Sequence, residues 1–162
     1  SFVEGGTVTA GNASGMNDAA SGVILAAEDR AKELGLPILA RILSTATVGV
    51  DPDIMGIGPV DATRKALAKA GLALKDLDRI EMNEAFAAQY LACEKELGLD
   101  RSITNVHGRG ISLGHPVGAT GTRLITTLLY ELKRTGGRYG LVATCAGGGM
   151  GVALVVDAKP ES

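Results

Sequence analysis

Between residues 119 and 134 the side chains of Leu124, Ile125, Leu128, Leu129 and Leu132 recur at steps of one, three, one and three. That spacing gathers them on one side of a helical wheel and predicts a strongly amphipathic helix. Lys133 and Arg134 complement the negative end of its dipole, and Gly136 ends it. The same period recurs over 58–71, where Pro59 stands near a helix start and Ala62, Ala66, Leu67 and Ala70 form an apolar stripe before Gly71. From Glu84 to Leu97, Phe86, Tyr90, Cys93 and Leu97 share one helical face. Cys93 therefore reads as a core residue.

Strand patterns fill the intervals. VATCAGGGMGVALVV, residues 142–156, holds two short Val/Ala/Leu runs bounded by glycine, as two neighbouring buried strands joined by a tight turn would. PILARILSTATVGV from Pro37 is a long strand of mixed pattern, and DRIEMN a brief one. GVILAA reads as a short buried strand, followed by a helix, EDRAKELG, stopped at Gly35. The first 22 residues are dominated by Gly, Ser, Thr, Asn and Ala and predict an irregular polar loop. From Pro37 onward the order is β, α, β, α, loop, α, β, β, a mixed sheet with helices packed on it and hence an α/β fold.

Composition narrows the function classes. With 162 residues, 46% of them hydrophobic, the chain can fill one core, and a net charge of −2 gives no electrostatic reason to expect nucleic acid. Aromatics are only 3%, so the core must be built from Ala, Val, Leu and Ile, with backbones passing close together. Two cysteines without metal-ligand spacing make neither a disulfide framework nor a zinc site, and a reducing, cytoplasmic compartment fits them. No apolar run approaches the ~20 residues needed to cross a bilayer.

Three stretches carry candidate chemistry: NEAF at 83–86, GHPVGATG at 114–121 and CAGGG at 145–149. Each follows a strand or loop and leads into a helix or a glycine turn, where ligand sites of α/β folds gather. His115 sits between Gly114 and Pro116, in a locally rigid loop, whereas nothing local constrains His107. Asn83 is most simply a helix N-cap, and Glu84 a favourable charge at a helix N-terminus. Cys145 and His115 together suggest either a thiolate stabilised by an imidazolium or a thiol acting as base toward a weakly acidic carbon. Glycine N–H groups beside the thiol suit a developing oxyanion. Three readings stay open on these residues: an enzyme acting on thioester or ester carbonyls, a non-catalytic module holding a phosphate or pantetheine-like group, and a Cys/His hydrolase.

The ordered set GTVTAGNASGMND, ATVGVDPDIMGIGP, NEAFAAQ, NVHGRGISLGHPVGATG and CAGGGMG resembles the C-terminal half of the thiolase family over nearly the whole chain. The resemblance implies an α/β fold with a mixed five-stranded sheet covered by helices. Residues 1–36 would end the loop region and the last strand and helix of the N-terminal thiolase half, and residues 37–162 would form the C-terminal thiolase domain. It also implies acyl-CoA acyltransfer by Claisen condensation or its reverse, within fatty-acid metabolism, with coenzyme A as substrate or product rather than a cofactor and with no metal.

By the same resemblance Cys145 is the acid/base, His115 activates the acylated cysteine and stabilises the thioester oxyanion, Asn83 assists through a held water, and the Gly147 N–H serves a second oxyanion site. Ser14, with Ala10 and Gly11, matches the loop along the pantetheine arm. Met55, Ala85, Phe86 and, more loosely, Phe2 match positions lining the same tunnel. The family's nucleophilic cysteine lies in its N-terminal half, and neither Cys93 nor Cys145 occupies that position. The expected partners are therefore acyl-CoA or coenzyme A and the N-terminal thiolase half, in a protein that is a homo-oligomer at full length. Alone, the chain is expected to be inactive, with residues 1–36 associating, rearranging or partly disordered. A CoA-binding module without catalysis is the alternative. His107 and Arg109 depart from the common pattern and are expected to alter the electrostatics of the entrance.

Overall fold

A computed structural model describes residues 1–159. Its centre is a four-stranded sheet of β1 (Arg41–Gly49), β2 (Arg79–Met82), β3 (Tyr139–Ala146) and β4 (Met150–Asp157), in the order β1-β4-β3-β2. The β3–β4 hairpin and the β1–β4 pair are antiparallel, while β2 runs parallel to β3. The helices are α1 (Glu28–Glu33), α2 (Gly58–Ala70), α3 (Ala87–Leu97), the single turn α4 (Gly110–Leu113) and α5 (Val117–Thr135).

Alternation along the strands assigns the two faces. Leu141 and Ala143 on β3 and Ala153 and Val155 on β4 pack with Val60, Ala62, Ala66 and Leu67 of α2 and with Cys93 of α3. Val142 and Val156 point the other way, against Leu124, Leu128 and Leu132 of α5. These are the positions the 3.6 and 2.0 periods single out. Small residues let the layers close: a Cβ on Gly151 would come within 2.1 Å of the Gly58 backbone at the start of α2.

Two expectations are corrected. The sheet has four strands rather than five, because GVILAA pairs with nothing among the described residues; Ile24 is 90% and Leu25 74% exposed. Its apolar side chains fit a buried strand, but a strand also needs an edge to pair with, and none adjoins it. The strand expected from Pro37 begins at Arg41. No described helix is long and apolar enough to cross a membrane.

One buried carboxylate ties α5 to the sheet. Glu131, 2% exposed at its side chain, accepts from Arg79 Nε of β2 at 3.1 Å, His107 Nε2 at 2.9 Å and Arg134 Nε at 2.8 Å. Arg134 above all, with His107 and Arg79, holds its carboxyl well below the usual carboxylate range against the opposing effect of burial. A folded-state value below the unfolded one, about 4.3, gives stability that is present above that pH and is lost as pH falls toward the folded value. Glu131→Gln is expected to cost roughly 3 kcal/mol at neutral pH, the lower end for breaking a buried ion pair. In urea titrations the gap between variant and parent should narrow at pH 3; a constant gap would contradict this assignment.

Candidate active site

The end of β2 organises the site. Asn83, one residue beyond the strand, donates its N–H to Ala143 O at 3.0 Å, which extends the parallel pairing with β3 to within two residues of Cys145. Its side chain is fully buried. Nδ2 lies 3.3 Å from His115 Nε2 and 3.5 Å from Nδ1, and Oδ1 has no hydrogen-bond partner.

The outer edge of β2 is finished by a side chain. Ile80 N donates to Ile103 O and Asn105 N to Ile80 O, both at 2.9 Å. Asn105 then turns into the left-handed region at φ 51°, which Asn tolerates better than most residues. Its amide replaces the departed backbone: Oδ1 accepts from Met82 N at 2.9 Å, and Nδ2 donates to Met82 O at 2.8 Å and to Glu84 Oε1 at 3.2 Å. The other Glu84 oxygen accepts from Ile111 N at 3.4 Å. The residues on both sides of Asn83 are thereby clamped.

His115 reaches Asn83 from the start of α5. Gly114 precedes it at φ 97°, and a Cβ there would lie 2.5 Å from Asn17 Oδ1, so position 114 needs glycine for both conformation and space. The His115 N–H faces Gly15 O at 3.3 Å and Asn17 Oδ1 at 3.1 Å. Its ring Nδ1 lies 2.7 Å from Thr120 Oγ1.

The N-terminal loop runs across this group. Ala13 bridges Phe86, Ser14 N donates to Ala85 O and Ala87 N to Asn12 O, both at 2.9 Å. Ser14, Ala85, Phe86 and His115 are thus neighbours along one seam. Met55 joins less directly, since Gln89 packs on the adjacent Gly56 and accepts from Ala85 N at 3.2 Å. Ala10 and Gly11 are exposed just upstream. Phe2, 67% exposed, curls into its own turn through Phe2 N to Val8 O, and no described contact takes it to the seam.

Cys145, the penultimate residue of β3, lies opposite Gly151, and the turn after the strand uses Gly148 and Gly149 at φ 82° and 85°. Gly147 is exposed at the head of that turn. Burial pushes the Cys145 thiol above its usual pKa, partly offset by a hydrogen bond from its own backbone. Burial also lowers the His115 pKa, helped by the positive charge of Arg123. Near neutral pH the site therefore rests as a thiol and a neutral imidazole. Both shifts run against a thiolate–imidazolium pair, and no hydrogen bond joins Cys145 to His115 among the described residues.

A family model described as "Thiolase, C-terminal domain" matches residues 36–158. The chain belongs to the thiolase family. It is 56% identical over 156 residues to an acetyl-CoA acetyltransferase of Shinella zoogloeoides, covering 96% of this chain and 40% of that protein. The Bacillus anthracis acetyl-CoA acetyltransferase superposes with a TM-score of 0.91 at 56% identity, over 93% of this chain and 38% of that one. Human mitochondrial 3-ketoacyl-CoA thiolase in complex with CoA superposes at 0.89 and 48% identity, over 97% and 40%. The chain thus spans about 40% of the length of the curated relatives it matches.

Within this thiolase chain several residues do other work than local sequence suggests. Asn83 is no helix cap: α3 begins at Ala87 after Phe86, with no side-chain cap. Glu84 faces Asn105 and the first turn of α4 rather than the start of α3. Arg109 is 1% exposed and paired with buried Glu81, and the His107 ring lies against Glu131, so both side chains are met by carboxylates. Thr120, Asn105 and Asn17 enter the site unforeseen. Thr120 had a local signal, a hydroxyl in the first turn of the helix that follows the histidine. Asn17 had none, being 98 residues away from its partner.

The two thiols should separate chemically. Cys93 is fully buried, its Sγ donates to Gly56 O at 3.2 Å, and burial pushes its pKa up to about 11. Only thiolate alkylates. Iodoacetamide should modify Cys145 more slowly than a free cysteine at pH 7, with a rate still rising beyond pH 8.5, and should spare Cys93 until the chain unfolds. Mass spectrometry of the labelled peptides checks this, and faster labelling of Cys93 would refute it.

Proposed function

We propose that this chain carries the acid–base half of an acyl-CoA acyltransferase site of the thiolase type. In that reading Cys145 removes or returns the α-proton of an acyl-CoA. His115 and Asn83 serve the thioester oxyanion, and the Gly147 N–H, at the open head of the glycine turn, serves the enolate oxygen. Ser14, Ala10 and Gly11 line the pantetheine arm, with Met55, Ala85, Phe86 and Phe2 along the tunnel. Coenzyme A is substrate or product. Residues 37–162 are the C-terminal thiolase domain, and residues 1–36 belong with the N-terminal half, which supplies the acyl-accepting thiol.

The single observation that carries this reading is Asn83, whose main chain is bound to β3 beside Cys145 while its buried amide meets His115. One residue thereby fixes two of the three motifs relative to each other. An α-proton beside a thioester is weakly acidic, and its removal needs a base together with donors aimed at the enolate oxygen. Each such donor contributes ~2.7–4 kcal/mol to the transition state. The orphaned Asn83 Oδ1 suits a held water that relays this polarity.

A neutral imidazole can take a proton from an attacking thiol, and a thiol whose pKa is raised by burial forms a strongly basic thiolate. Exposed Ile24, Leu25, Leu36 and Leu39 are the kind of surface the N-terminal half would cover. That assembly is expected to form a homo-oligomer.

The chain is to be combined with an N-terminal thiolase half, association checked by size exclusion, and thiolysis of a 3-ketoacyl-CoA followed. Alone it should turn over negligibly. The associated complex should be active, and Cys145→Ala should lose about 10²–10⁴ of that rate. An associated but inactive complex that still binds CoA would favour a binding module, and full activity in the variant would remove the acid–base role.

A further inference from the structure

We infer that Thr120 is a positioning residue, which holds His115 as the Nδ1–H tautomer and leaves the lone pair on Nε2. The inference rests on the acyltransferase reading only for the use of that lone pair; the tautomer itself is a property of the chain. In a helix each Cβ tilts toward the N-terminus, so Thr120, in the first turn of α5, points back at Pro116 and the His115 ring. Thr120 is 2% exposed, and its hydroxyl must be satisfied within the protein.

That hydroxyl has one proton. It is donated to Pro116 O at 2.9 Å, the local back-bond available to threonine in a helix. What Thr120 Oγ1 then offers to His115 Nδ1, 2.7 Å away, is lone pairs, so the ring nitrogen must bring the proton. With Nδ1 protonated in the neutral ring, Nε2 carries the lone pair. Asn83 Nδ2 lies 3.3 Å from Nε2 and 3.5 Å from Nδ1, beside the ring rather than at one end of it, so the Thr120 contact alone fixes the proton position.

The Thr120 hydroxyl also restrains rotation of the ring through Nδ1, and the backbone N–H of His115 is tied to Gly15 O and Asn17 Oδ1. A lone pair kept on Nε2 is what a base needs to receive a proton from an acyl-accepting thiol.

The test uses histidine labelled with ¹⁵N in the side chain. NMR of the full chain is recorded at a pH where the rings are neutral, with His107→Gln identifying the second histidine. His115 is expected to carry its proton on Nδ1 in the parent and in Thr120→Ser. In Thr120→Val the Nδ1–H form should give way to a mixture or to Nε2–H. The valine variant should fold, because Pro116 O keeps the N–H groups of Ala119 and Thr120 at 2.8 and 2.9 Å. If it does not fold, the parent spectrum alone decides: Nε2–H in the parent overturns the inference, as does pure Nδ1–H in a folded Thr120→Val.

In the assembly with the N-terminal half, Thr120→Val should lower kcat about 10- to 100-fold, the range for losing an outer hydrogen-bond partner of a ligating histidine, with KM for acyl-CoA nearly unchanged. Thr120→Ser should restore kcat. Equal losses in both variants, or a loss confined to KM, would refute the positioning role. An Nδ1–H tautomer in an assembly without acyl transfer would instead remove the acyltransferase reading and leave the tautomer assignment standing.

Discussion

The hydrogen bond from Asn83 N to Ala143 O is the constraint on which the site depends. β2 has only four residues and lies at the edge of the sheet, so without reinforcement its end would fray. Reinforcement comes from both sides. β3 extends the parallel ladder on the inner edge, and the Asn105 amide substitutes for a backbone on the outer edge, pairing with Met82 N and O. Asn83 is fixed because its neighbours are, and a buried amide held to a defined position is what gives His115 a partner at a defined distance. A site on a frayed edge would lose the geometry before it lost the fold.

The buried charges follow the same economy of partners. Glu131 meets two guanidinium groups and the His107 ring, and Glu81 meets Arg109 with both groups at 1% exposure. Ion pairs of this kind stabilise little relative to well-packed apolar residues, since desolvation offsets the attraction, but removing one member leaves a charge stranded. They therefore act as constraints on arrangement. Glu131 fixes α5 relative to β2 and to His107, while Glu81 anchors Arg109 at the start of α4. The loop from 104 to 114 is thus pinned at His107, Arg109 and Ile111 before it delivers His115.

What could be read in the sequence divides along physical lines. The stripe of Leu124, Leu128 and Leu132 and the alternation in residues 141–156 report burial by period, and both lie where the period put them. The motifs NEAF, GHP and CAGGG were recognisable as strand exits, and the first two meet through Asn83 and His115. GVILAA failed for a reason the pattern cannot contain. Hydrophobicity says that a segment needs cover and is silent about which surface provides it. Asn83 failed as the cap of α3, and Glu84 as a charge at its N-terminus, because α3 starts later than its apolar stripe, and a polar pair before a helix serves the helix end or a tertiary contact equally well. Thr120 and Asn105 act through single hydrogen bonds whose partners are chosen by tertiary approach, so no periodicity marks them.

The charge state of the resting site has a consequence for how such a half-site works. A thiolate–imidazolium pair would stabilise itself and spend its nucleophilicity in doing so, since thiol reactivity falls as its pKa falls. Burial at Cys145 and at His115 acts in opposite senses on the two pKa values, upward for the acid and downward for the base, so each group is neutral until something approaches. In the proposed reaction charge would develop only when an oxyanion or enolate forms, beside the glycine turn and the Asn83–His115 pair, with little reorganisation required. The same burial that raises Cys145 would deepen if the N-terminal half closed over the seam, so completion of the fold and tuning of the thiol would be one event rather than two.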